Sequence, residues 1–142
     1  MPDNVLVASD GSPLSDRALT YAVENFPNAT ITAMYVINPI DSIIDVEVGG
    51  LPVADDWYDN AQQRATALHT SATDLAADHG IDLKTVTEVG KPAREIVEYA
   101  AEHDIDQIVM GSHGRSGIDR AILGSVAETV TRRAAIPVTI IR

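Results

Sequence analysis

The chain has 142 residues and is 45% hydrophobic, which makes one domain over residues 1–142 with a single core. Its formal net charge is −11, from 21 acidic against 10 basic residues, and with no Lys or Arg cluster this excludes a nucleic-acid surface built on phosphate neutralisation. Cysteine is absent, which excludes disulfides, thiolate metal sites and thiol redox chemistry.

The N-terminus carries no charged-then-apolar leader and no apolar run approaches the roughly 18 residues of a membrane span, so a cytoplasmic protein without membrane contact is expected. NVLVAS (Asn4 to Ser9) is a β-branched run that reads as a first strand. DGSP follows, with Ser12 as N-cap and Pro13 in the first turn of a helix whose apolar face is Leu14, Ala18, Leu19, Ala22 and Phe26. ATITAMYVI (Ala29 to Ile37) returns as a buried strand. The stretch from Asn38 to Asp56 has no clear period and holds the Gly49-Gly50 pair, so it is read as a mobile loop. From Trp57 to His79, Ala61, Ala65, Leu68, Ala72, Leu75 and Ala76 recur at helical spacing, with Gly80 as C-cap. IDLKTVTEVG gives a third strand, PAREIVEYAAEH a third helix opened by Pro92, IDQIVMGS a fourth strand, ILGSVAETVTRRAA a fourth helix and IPVTIIR a fifth strand. Strands alternating with helices require right-handed crossovers, and the class is doubly wound α/β with a parallel sheet and helices on both faces.

The bases are eight Arg and two Lys, and Asp outnumbers Glu fourteen to seven. Two readings fit that bias equally: a surface adapted to high salt, or an acidic protein kept soluble by its charge.

In a doubly wound sheet, ligands bind beyond the carboxyl ends of the strands where the strand order reverses. The first strand exits into Ser9, Asp10, Gly11 and Ser12, the second into Val36 to Pro39, and the fourth into MGSHGRSGIDRAILGS. That last stretch holds four of the nine glycines. Gly111 and Gly114, then nine residues, then Gly124-Ser125 at a helix start, is a pattern suited to phosphate: glycine lets the backbone approach an anion and the helix N-terminus offers unpaired N–H groups. The competing reading is that these glycines only turn the chain and cap a helix. His113 and Arg115 sit inside the pattern as donors to a phosphate, or as solvated loop side chains. His69, His79 and His103 fall on or beside helices with no partnering acids at ligand spacing and read as surface residues. Trp57 and Tyr58 read equally as packing or as ligand stacking.

Standard nucleotide and hydrolase motifs are missing. In VGKPA, Pro92 stands where a Walker motif needs Ser or Thr and Thr85 where it needs Gly; Gly111, Gly114 and Gly117 do not have dinucleotide-binding spacing; neither G-x-S-x-G nor H-E-x-x-H occurs.

Three stretches in order, VLVASDGSPLSDRAL, VGKPAREIVEYA and IVMGSHGRSGIDRAILGSVAETVTRRAAIPVTIIR, resemble the universal stress protein family. The resemblance covers the chain apart from Asn38 to Asp56, and Gly111, Gly114, Gly124 and Ser125 reproduce the spacing of the family's ATP-binding branch. It implies strand order 3-2-1-4-5, a homodimer joined along the last strand, Ile136 to Arg142, and ATP bound with a divalent ion, Mg or Mn. By that pattern Asp10, beside Ser9, meets the ribose or metal region. Val36 and Val89 meet the adenine. Gly111, Gly114, Gly124 and Ser125 meet the phosphates, flanked by Met110 and Val126. What this implies is an ATP-binding regulatory protein of stress response with no assigned catalytic residue. The alternatives are a slow ATP hydrolase or phosphotransferase, and a dimeric interaction module that binds no nucleotide.

Overall fold

The computed structural model describes residues 2–40, 54–113 and 123–142, with residues 54–56 in backbone alone. The elements run β1 (Asn4–Ala8), α1 (Pro13–Asn25), β2 (Thr30–Ile37), α2 (Ala54–Asp78), β3 (Lys84–Val89), α3 (Pro92–Glu102), β4 (Gln107–Gly111), α4 (Ser125–Arg133) and β5 (Val138–Ile141). The strands form one sheet in the order β3-β2-β1-β4-β5, and every pairing is parallel. This is the doubly wound order that the sequence resemblance implied.

Local signals explain most boundaries. Ser12 caps α1, its Oγ accepting the Ser15 N–H at 3.1 Å, and Pro13 supplies a first-turn residue with no N–H to satisfy. Gly80 ends α2 at φ +75°, where Ile81 N–H donates to Ala76 C=O and Gly80 N–H to Ala77 C=O, both at 2.9 Å. Two boundaries differ from the sequence reading. Helix α2 starts at Ala54, inside the stretch read as loop. Helix α4 starts at Ser125 because Gly124 is extended, at φ −63° and ψ 157°; the preceding Ile122 lies outside the described residues.

Period-two alternation sends successive strand residues to opposite faces. Val5, Val7, Ile31, Ala33 and Val109 pack under α1 and α2, with Ala18, Leu19, Ala22, Ala72 and Ala76. Leu6, Met34, Ile108 and Met110 pack on the other face under α3 and α4, with Ile96, Ala100, Ala127 and Val130. A third cluster, Tyr35, Ile37, Ala61 and Ala65, seats the N-terminal half of α2, with Trp57 packed against it. Trp57 is therefore a packing residue, while Tyr58 is 46% exposed.

His69 departs from the surface position expected of it. It is half-buried between α2 and β3, with Nε2 2.8 Å from Thr87 Oγ1, because the alanines one turn away bring α2 close to the sheet. His79 and His103 are exposed, as read from sequence.

Ser12→Ala should lower unfolding stability by about 1 kcal/mol through loss of the α1 cap, seen as a shift in urea midpoint at unchanged slope.

Candidate functional site

From β1 the chain crosses to β2 on one side, while β4 pairs with β1 on the other. The sheet therefore reverses its winding between β1 and β4, and the carboxyl ends of these two strands are the position at which doubly wound sheets form a ligand crevice. The register Val7↔Val109, continued by two and three residues, sets Ser9 and Asp10 opposite Gly111 and Ser112.

On the β1 side the exit turn is closed by its own polar groups. Asp10 Oδ1 accepts the Ser12 N–H at 2.9 Å, and Gly11 holds φ +81°, a conformation that L side chains resist. The Ser9 N–H donates to Met34 C=O at 2.8 Å, so the first residue beyond β1 still belongs to the sheet ladder. Asp10 is half-buried, and its Oδ2 takes no bond among the described residues. Burial first, and the Asp10 charge second, push the Asp16 carboxyl above its usual range. The mouth on this side is electronegative.

On the β4 side three elements meet at one peptide. The Ser112 N–H donates to Ile141 C=O of β5 and Ser112 C=O accepts the Gly124 N–H, both at 2.7 Å. Ser112 is 1% exposed, and its Oγ lies 3.2 Å from His113 Nδ1. The two described glycines here are demanded by internal contact. A Cβ on Gly111 would stand 2.8 Å from Leu14 Cβ of α1, and one on Gly124 would stand 2.9 Å from Ser112 O and 3.0 Å from His113 Cα. Their lack of a side chain lets α1 and the α4 start pack against the end of β4. The first intrahelical bond of α4 runs from Glu128 N–H to Gly124 C=O, so the N–H groups of Ser125, Val126 and Ala127 lie ahead of it. Such N–H groups, with the positive end of the helix dipole, are the kind of donors that can bind an anion.

The residues selected from the sequence separate into groups. Asp10, Gly111, His113, Gly124 and Ser125 come together around the ends of β1 and β4, and Ser125 is exposed at the first position of α4. Gly124 contributes geometry, since its N–H is already engaged. Ser9 is buried, at 7% exposure, and Met110 at 4% fills the α3/α4 core, where Val126 also packs. Val36 and Val89 lie on opposite faces of the sheet: Val36 joins the α3/α4 core, whereas Val89 pairs in register with Ile37 and is 43% exposed. Gly114 and Arg115 lie outside the described residues. The sequence reading passed over Ser112; a serine directly after a buried strand and before His113-Gly114 was the available signal. Among the described residues no group of three or more His, Cys, Asp or Glu could hold a metal ion. A divalent ion at Asp10 would therefore need further oxygens from a ligand or from water.

Comparison with known proteins follows the same lines. A model of the universal stress protein family matches residues 1–142. The universal stress protein YxiE of Bacillus subtilis is 30% identical over 148 residues, covering all of both chains. The structure of MJ0577, from Methanocaldococcus jannaschii, superposes with a TM-score of 0.82 at 24% identity, over 98% of this chain and 94% of that one, a likeness of fold. A universal stress protein solved in complex with cAMP superposes with a TM-score of 0.73 at 29% identity, over 99% of this chain and 97% of that one.

Gly111→Ala should destabilise the protein by about 1–3 kcal/mol in urea unfolding without any ligand present, because the new methyl and Leu14 Cβ sit on two packed elements that cannot both keep their places.

Proposed function

The chain belongs to the universal stress protein family, and we propose that within it this protein is a homodimeric, ATP-binding regulator of stress response whose nucleotide occupies the crevice between the ends of β1 and β4. The observation that carries the reading is the N-terminus of α4: Ser125, Val126 and Ala127 have N–H groups ahead of the first helical bond, and the Gly124–Ser112 bond fixes them beside the crevice. The relative solved with cAMP supports an adenine nucleotide as the ligand class. The triphosphate would take these N–H groups and the Ser125 hydroxyl, joined by Gly111, Gly114, His113 and Arg115. Asp10 with Ser9 would lie at the ribose. The adenine would lie toward the ends of β2 and β3, near Val36 or Val89; their side chains face opposite ways, so one ring stacks on one of them.

The electrostatics call for a cation. Asp10 and the nearby Asp16 carboxyl face an anionic ligand, and a divalent ion, Mg or Mn, between Asp10 Oδ2 and the phosphates would turn repulsion into bridging. Among the described residues no general base beyond Asp10 or His113 stands at the site, and on this reading the protein binds rather than turns over nucleotide, so ADP release should stay far below the roughly 10 per second of a typical enzyme.

Calorimetric titration tests the site. ATP should bind more tightly than AMP or cAMP, because its additional phosphates add contacts to the α4 N–H groups, and chelating the divalent ion with EDTA should weaken it. Ser125→Ala should cost about 1 kcal/mol, roughly fivefold in Kd, at unchanged thermal stability. No heat from wild-type protein, and no protection by ATP against thermal unfolding, would remove the nucleotide reading and leave the interaction module.

The proposed dimer joins two copies along Ile136 to Arg142. Among the described residues strand β5 is a sheet edge, paired only to β4, and its residues are all half-buried. Pro137 and Ile141 turn their carbonyls to β4, accepting from Ile108 and Ser112, so by alternation Val138 and Ile140 turn their backbone groups outward. Ile140→Pro removes an outward N–H and should shift the protein toward monomer or aggregate in light scattering; an unchanged dimer mass would place the interface elsewhere.

A further inference from the structure

The middle of α2 holds an imidazole that the crevice does not use. His69 Nε2 lies 2.8 Å from Thr87 Oγ1 on the edge strand β3, while its Nδ1 is buried with no partner among the described residues. The two neutral tautomers differ in cost. With the proton on Nε2, the ring donates to Thr87 and leaves a bare lone pair at Nδ1; the reverse arrangement would bury an N–H without an acceptor, the rarer and more expensive orphan.

Little in the surroundings would compensate a charge there. One turn away on α2 stand Ala65, Thr66, Ala72 and Thr73, and the β3 residues on the same face are Thr85, Thr87 and Val89, with Lys84 and Glu88 on the opposite face. From β2 the titratable group on this face is the Tyr35 phenol; α1 and the turn before it carry Asp10, Asp16, Arg17, Tyr21 and Glu24, and among its described side chains α2 itself carries Tyr58, Asp59 and Arg64 before His69 and Asp74 and Asp78 after it. Desolvation is the cause that lowers the His69 pKa from its ordinary 6.5, with no charge among these acting as a counterweight. The adjacent Leu68 lies over the turn after β1: a Cβ on Gly11 would meet Leu68 Cδ2 at 2.5 Å. At this level α2 therefore touches both the edge strand and the turn that carries Asp10.

We propose that His69 and Thr87 form a proton-sensitive latch: with His69 neutral, α2 is held to β3, and on acidification the imidazolium, with an Nδ1–H that has no acceptor, releases α2 from β3 and Leu68 from the Gly11 turn. The direction follows from linkage. A released, hydrated His69 titrates near 6.5 and the latched ring lower, so the latch is fully closed above 6.5 and is lost progressively as pH falls below it. The inference stands apart from any nucleotide.

The test uses the full chain without ligand, following the His69 ring by NMR together with amide exchange corrected for the intrinsic pH dependence of exchange. The ring should titrate with a midpoint below 6.5, and over the same interval the amides of residues 65–76 should lose protection by up to roughly tenfold per pH unit, the limit for one linked proton. His69→Gln, whose amide can donate to Thr87 but does not titrate, should abolish that pH dependence, whereas His79→Gln and His103→Gln should preserve it. A midpoint at or above 6.5, protection that does not follow the titration, or pH dependence that survives in His69→Gln would each overturn the latch. Should His69→Gln fail to fold, the ring titration and amide protection of the wild type decide alone.

Discussion

The constraint on which the candidate site depends is the packing around the Ser112 peptide. Its N–H reaches Ile141 on the last strand and its C=O takes the Gly124 N–H, so one buried residue joins β4, β5 and the start of α4. Both bonds sit in a low-dielectric interior, where an unmade bond leaves a costly orphan, so the three elements hold one relative position. That position fixes the direction in which the N-terminus of α4 points. Gly111 and Gly124 are the steric condition for it, since a side chain at either would separate the elements before the bonds could form.

A net charge of −11 sits uneasily with an anionic ligand. Range decides the balance. Surface charges act through water and salt and are screened over about 8 Å at physiological ionic strength, whereas the α4 N–H groups act at contact. The local opponents are Asp10 and Asp16, and the Asp16 carboxyl is pushed above its usual range by burial first and by the Asp10 charge second. The crevice is thus mixed in sign, with donors on the β4 side and carboxylates on the β1 side, which suits a ligand that carries a cation with its phosphates.

The helix α2 gives the β1 side its rigidity. Small residues at Ala61, Ala65, Ala72 and Ala76 let it lie close on the sheet, and that closeness buries His69 and presses Leu68 onto Gly11. The same alanines that read as an apolar stripe in the sequence therefore determine the environment of an ionisable neighbour.

How much was legible can be traced residue by residue. Periodicity and turn chemistry determined the element order, the caps at Ser12 and Gly80 and the parallel sheet, because these follow from local backbone preferences and from the handedness of crossovers. The family resemblance added the strand order. The glycine pattern pointed to a candidate site but not to the reason for each glycine: a missing side chain records that space is taken, not by what, and only the tertiary structure assigned the space at Gly111 to Leu14 and at Gly124 to Ser112 and His113. Alternation on β2 and β3 placed Val36 and Val89 on opposite faces only once the register was known, since parity within a strand does not carry across to its neighbour. Burial of His69 was likewise decided by how closely α2 lies on the sheet, a distance set by side chains from two elements far apart in the chain.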